Sequence, residues 1–222
     1  MMPRTEGFAM KIGVIGSGAV GQTLAAGFLK HGHAVMLGTR DPAKLQEWAA
    51  KTPGVKLGSS SEAAVFGEVL MLAVKGSVAA TVLSEAGAKN LAGKPVMDAC
   101  NPIADAPPKK GVLRLFTDSS RSLMEMLQQE FPEAHLVKAF SSVGAPQMVD
   151  PSYKAGRPTM FICGNDAGAK KTVTGLLDQF GWETADLGGV ESARAIEPLC
   201  MLWCIPGFLR NEWTHAFKLL RE

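Results

Sequence analysis

Short apolar runs alternate along this chain with amphipathic stretches of helical length. Runs at residues 11–15, 34–37, 69–74, 96–99, 136–140 and 160–163 predict strands, with a weaker one at 55–57. Helical spacing of apolar positions covers 20–31, 43–51, 61–66, 77–83, 120–129 and 169–180. This β-α-β-α rhythm predicts an α/β fold, a Rossmann-type doubly wound parallel sheet with helices on both faces. Most strand runs are apolar throughout rather than alternating, as strands covered on both faces require. The pattern changes near Gly144-Ala145-Pro146, where a 10–146 Rossmann-type domain gives way to a small C-terminal lobe over 147–222. That lobe holds one or two strands and a final apolar helical segment from Ser192 onward. It is too short to add the long helical domain that encloses small hydroxy or imino acids on this fold, so a shallow cleft for a large flat partner is expected.

Between the first strand and the first helix stands Gly16-Ser17-Gly18-Ala19-Val20-Gly21, a G-x-G-x-x-G sequence. Its context makes it informative, because an apolar run precedes it and a helical pattern opens inside it. Gly16 permits a tight turn, Gly18 lets the backbone approach a pyrophosphate, and Gly21 lets the helix lie close to the strand. The helix N-terminus then offers its free N–H groups to the phosphates.

The end of the second strand separates NAD from NADP. An NAD site usually carries Asp or Glu there, accepting hydrogen bonds from the ribose. Here the chain reads Gly38-Thr39-Arg40-Asp41-Pro42-Ala43-Lys44. Thr39 offers a hydroxyl, Arg40 a planar cationic fork suited to a phosphate, and Lys44 a second cation in the first turn of the next helix. Asp41 competes as a ribose-binding acid, but Asp followed by Pro is a helix start, with Asp as N-cap. NADP(H) is the predicted cofactor.

In an open parallel sheet, ligands sit beyond the carboxyl ends of the strands. Val74-Lys75, Asn101 and Ser142-Val143-Gly144 fall there and are candidate cofactor-binding residues. Asn101, held extended by Pro102, suits the nicotinamide or its ribose, and equally suits a plain Asn-Pro turn. His31, His33 and His135 are expected at the amino edge of the sheet, away from a ligand, and His215 has no predicted place. No Ser/His/Asp or Cys/His system appears, so no catalytic residue is assigned. Direct hydride transfer between two aligned rings suits that sparse chemistry.

Composition narrows the class. The 222 residues are 46% hydrophobic and 20% charged, as in an ordinary globular protein. A formal net charge of +2 without a Lys/Arg-rich run argues against nucleic acid. The apolar stretch 198–209 is about half the length needed to cross a bilayer, so no membrane partner is expected. Residues 1–8 are mixed and charged, unlike a signal peptide, and Met10 makes them readable as a leading extension. Cys100, Cys163, Cys200 and Cys204 form no Cys-x-x-Cys pair and have no His at ligand spacing. Reduced thiols packed as small apolar groups, no metal, and a cytoplasmic location are expected.

Several segments resemble the NADP oxidoreductases dependent on the deazaflavin coenzyme F-420, with their bacterial relatives and the cytosolic domain of the STEAP metalloreductases. The resemblance spans about residues 11–208. It is carried by the glycine stretch 11–21, Gly38-Thr39-Arg40, Val137-Lys138-Ala139-Phe140-Ser141 and the 161–166 stretch ending Gly164-Asn165-Asp166. Most distinctive is Asp186-Leu187-Gly188-Gly189 followed by Ala193-Arg194-Ala195-Ile196-Glu197. The resemblance implies a homodimer with NADP over the glycine loop and the 2′-phosphate on Thr39, Arg40 and Lys44. It further implies that residues 141–145 border the nicotinamide and the second redox ring, and that the 202–208 region walls that pocket. The chain departs from the family at that ring site, with Ser141-Ser142 for the usual Asn or His followed by Thr, and Gly144 where archaeal members have Pro.

The expected activity is an NADP(H)-dependent oxidoreductase passing hydride between nicotinamide and a flat small-molecule acceptor. Deazaflavin F-420 is the first candidate; a flavin, a quinone or a chelated metal follows. Two other classes stay open: a non-catalytic NADP(H)-binding redox sensor, and a dehydrogenase of a small organic substrate with Lys75 or Asn101 polarising a carbonyl.

Overall fold

The apolar runs pair into one parallel sheet, seen in a computed structural model that describes residues 9–222. The leading segment 1–8 discussed above lies outside the described residues. The strands are β1 (Lys11–Ile15), β2 (Ala34–Gly38), β3 (Lys56–Gly58), β4 (Val69–Leu72), β5 (Pro95–Asp98) and β6 (His135–Lys138). Their order is β3-β2-β1-β4-β5-β6, with every pair parallel. The chain therefore winds outward from β1 in one direction and returns to wind the other way from β4. The β1/β4 boundary is the topological switch point where a crevice opens at the carboxyl ends.

Helices α1 (Ala19–Lys30), α2 (Gln46–Ala50), α3 (Ser60–Phe66), α4 (Ala79–Ala86), α5 (Ala88–Leu91) and α6 (Leu123–Glu130) cover the sheet. Local signals set several starts. Ser59 with Glu62, and Ser122 with Glu125, form reciprocal capping boxes at α3 and α6. The second box explains why α6 begins at Leu123 although helical spacing reached back to Ser120. The predicted 43–51 helix is divided, a 3-10 turn over Pro42–Leu45 leading into α2.

Beyond residue 146 come β7 (Thr159–Ile162), α7 (Ala167–Gln179), β8 (Glu183–Asp186), α8 (Ala193–Ile196) and α9 (Leu199–Arg210). β7 and β8 pair in parallel, and an antiparallel bridge from Lys138 to Cys163 joins them to the edge of the large sheet. These late elements share both cores of the sheet. On the α1 face Phe28 meets Phe180 at 4.8 Å between ring centroids, among Val14, Leu37, Val173 and Leu177. On the other face Ala193 and Ile196 pack with Leu72, Leu83 and Met124. Each fully buried Phe or Leu contributes roughly 1.5–3 kcal/mol. Among the described residues, no helix is long and apolar enough to cross a membrane.

Candidate functional site

Directly after β1 the chain turns at Gly16, whose φ of +120° L side chains rarely adopt. The first turn of α1 lies against that corner: a Cβ on Gly21 would stand 1.9 Å from the Gly16 carbonyl oxygen. Gly18 is different, since the position of its missing Cβ has no atom of the described residues within 4 Å. Its role is to leave room. α1 begins with no side-chain cap and no acidic residue in its first turn, so its orphan N–H groups and positive end face an open space. Gln22 steadies the loop by donating from Nε2 to the Ser17 carbonyl at 2.8 Å.

At the end of β2, Thr39 is buried and its hydroxyl oxygen collects two hydrogen bonds. The Ser17 hydroxyl donates at 3.1 Å and the Asp41 amide at 3.2 Å. The Thr39 proton is left for a ligand, and Arg40 stands exposed beside it. Asp41 occupies the N-cap position of the 3-10 turn, with Pro42 following, yet makes no capping hydrogen bond. Instead its carboxylate meets Lys44 Nζ at 3.3 Å. A 3-10 turn has three residues per turn, so it stacks positions 41 and 44 and gives Lys44 a local partner.

These elements frame a cleft of about 690 Å³ at the switch point. Gly16, Ser17, Gly18, Ala19 and Val20 line it on one side, with Thr39 and Arg40 at one end. Val74 and Lys75, following β4, form the opposite wall with Ala73 and Ala99. Gly21, Lys44, Asn101, Ser142, Val143 and Gly144 do not line it.

Asn101 and Ser141 follow where β5 and β6 end. Asn101 Nδ2 donates to the Ser141 carbonyl at 3.2 Å, while Asn101 Oδ1 and Ser141 Oγ are buried without partners among the described residues. Buried polar atoms rarely stay unpaired, so two on one couple indicate a group that completes them. Ser142 and Val143 are buried beside them, and Gly144 lies so close to Trp203 of α9 that a Cβ would stand 2.7 Å from its ring. Phe140, buried just before this turn, holds φ +60°, an uncommon conformation for a bulky residue. The open glycine loop, the free helix end, Thr39, Arg40 and the unpaired carboxamide and hydroxyl fit a phosphorylated dinucleotide.

One ionic cluster escaped sequence reasoning. Lys138 is fully buried, with Nζ 2.5 Å from Asp98, 2.8 Å from Glu197 and 2.9 Å from the Cys100 carbonyl. Burial alone would pull its ammonium down, but Asp98 and Glu197 more than offset this and hold it above the ordinary lysine value. Glu197 also accepts from the Leu123 and Met124 amides at 2.9 Å each, capping α6 from outside that helix. The available signal was a lysine inside the apolar run 136–140.

The histidines stand apart from the cleft. His31 pairs with Asp150, His33 bonds the Met10 amide and Gln179, and His135 lies 3.6 Å from Asp166. His215 stacks on Trp203 at 5.0 Å, so the C-terminal stretch backs the wall formed by α9. Cys100, Cys163 and Cys200 are buried free thiols; burial raises that of Cys163 to about 12. On α9, Cys200, Trp203 and Gly207 face inward while Leu202, Phe208 and Leu209 are exposed.

Comparison with known proteins agrees with this geometry. The family model for NADP oxidoreductases dependent on coenzyme F-420 matches residues 11–102. A crystal structure from Arthrobacter sp., provisionally named an F-420-dependent NADP-reductase, superposes with TM-score 0.89 and 36% identity, covering 96% of this chain and 100% of that one. The F-420-dependent NADP reductase of Methanocaldococcus jannaschii is 29% identical over 87% of this chain and 90% of its own. Metalloreductase STEAP3 of Rattus norvegicus is 31% identical over 90% of this chain, which spans only 39% of the rat protein.

Proposed function

The chain belongs to the coenzyme F-420-dependent NADP oxidoreductase family, and on that premise we propose that it passes hydride between NADP(H) and a second, flat redox acceptor. The observation that carries this reading is the cleft joining an open glycine loop to the Thr39-Arg40 corner, with the incompletely paired Asn101–Ser141 couple following β5 and β6 of the same sheet. When bound, NADP(H) supplies the hydride chemistry; the chain's own residues bind, orient and shield it. Amides of the α1 first turn receive the pyrophosphate. Thr39 donates its hydroxyl proton, and Arg40 its fork, to the 2′-phosphate. Asn101 Oδ1 accepts, and Ser141 Oγ completes, the amide end of the nicotinamide.

The acceptor is a deazaflavin of the F-420 type in the first place, because the family model and the Methanocaldococcus relative carry that name. A flavin, a quinone or a chelated metal comes next. The exposed apolar side of α9, with Leu202, Phe208 and Leu209, supports assembly as a homodimer. The test is NADPH oxidation by the purified protein with F-420, FMN and a quinone supplied in turn. Turnover with F-420 alone is expected. Turnover only with FMN or quinone reassigns the acceptor, and tight NADPH binding without turnover on any of them makes the protein a sensor.

A further inference from the structure

The Lys138 cluster lies outside the cleft lining, yet it grips both strand ends that carry the Asn101–Ser141 couple. Asp98 is the last residue of β5. Its Oδ1 accepts from the Cys100 amide at 2.8 Å, and the Lys138 ammonium holds the Cys100 carbonyl at 2.9 Å. The peptide groups on both sides of Cys100 are therefore fixed immediately before Asn101. Lys138 is the last residue of β6, three positions before Ser141. Glu197 closes the cluster from the segment preceding α9, the helix whose Trp203 covers Gly144.

Burial of three charges is a poor way to gain stability, since apolar residues of similar volume usually do as well or better. What such a cluster adds is a fixed geometry, here between two adjacent strand ends and the wall of the ring site. We propose that Lys138, Asp98 and Glu197 are positioning residues that hold the Asn101–Ser141 couple in place for the nicotinamide end of the cofactor. This rests on the function proposed above. The cluster touches neither cofactor nor acceptor in this scheme; it acts through Asn101 and Ser141. Angström-scale misplacement of a reacting group can cost about a hundredfold in rate, so a modest loosening of this couple is measurable.

Lys138→Met risks unfolding, so the informative variant is Glu197→Gln. It keeps the side-chain shape and one carbonyl oxygen while removing a charge, leaving Lys138 paired with Asp98. The experiment measures kcat and KM for NADPH with the acceptor that the wild type reduces. Dissociation constants for NADPH and for 2′,5′-ADP, a probe of the adenosine end alone, are measured beside them. E197Q is expected to lower kcat about tenfold or more, and to weaken NADPH several-fold, while 2′,5′-ADP binding stays within about twofold. In an Asn101→Ala background the same change is expected to have little further effect, because its route is already cut. Unchanged kcat and NADPH affinity in E197Q overturn the proposal. So does a loss of 2′,5′-ADP binding in step with NADPH, or a full additive loss on top of N101A. If no acceptor oxidises NADPH in the wild type, the proposed activity fails on its own, and the two dissociation constants still decide the positioning role.

Discussion

Replacing Lys138 by Met tests the energetic account of the buried cluster. The methionine fills most of the volume of the lysine stem but leaves two carboxylates, Asp98 and Glu197, facing each other with 0% and 1% exposure. Removing one partner from a buried ion pair costs about 3–5 kcal/mol, because the remaining charge stays desolvated and uncompensated. Here the lower end is expected, since Asp98 keeps the Cys100 amide and Glu197 keeps the Leu123 and Met124 amides. For a chain of this size, about 3 kcal/mol corresponds to a fall in Tm of roughly 6–12 °C. The pH dependence carries a definite sign. In the wild type the Lys138 ammonium is held above its ordinary value, so its contribution is complete at and below the ordinary lysine range and is lost only as pH rises through the raised one. Urea unfolding followed by tryptophan fluorescence at pH 7 measures the loss. A loss under about 1 kcal/mol with an unchanged m-value refutes the reasoning.

Three further outcomes follow from the cleft and its surroundings. Arg40→Ala should weaken NADPH about ten- to hundredfold, the 1.5–3 kcal/mol of a hydrogen bond to a charged group, and NADH hardly at all; equal losses, measured by titration calorimetry, would remove Arg40 from the 2′-phosphate. Gly18→Ala should fold normally, as no atom of the described residues lies within 4 Å of the added methyl, yet bind NADPH poorly because the methyl occupies the pyrophosphate's approach; a variant that binds normally contradicts the placement. The Arg194 hydrogen bonds, opposed by burial, hold the Glu125 carboxyl down to about 2, so this pair stabilises above the ordinary Glu range and its contribution fades as pH falls through that value. Arg194→Met should therefore cost little at pH 7, given its exposure, and progressively less as the pH falls through about 2. Acid unfolding curves that separate further below pH 2 would count against the pair.

The sequence by itself determined the elements and the cofactor loop of this protein, because their causes are local. A strand covered on both faces is an apolar run, and a phosphate-binding turn needs glycines at fixed spacing. A capping box is complete within four residues. β1 was legible to the residue. β8 was less so, because Glu183–Asp186 is a short, largely polar strand at the sheet's outer edge. Thr39 and Arg40 were legible as part of the site for the same local reason, since they follow β2 directly.

Tertiary structure alone decided the rest. Only the parallel pairing of β5 with β6 brings Asp98 to Lys138, forty positions away, and only the path of the chain into α9 adds Glu197. A lysine in an apolar run announces a buried charge, but not its partners. Those are chosen by register between strands and by the packing of distant helices, and both arise from burial of apolar surface summed over the whole sheet.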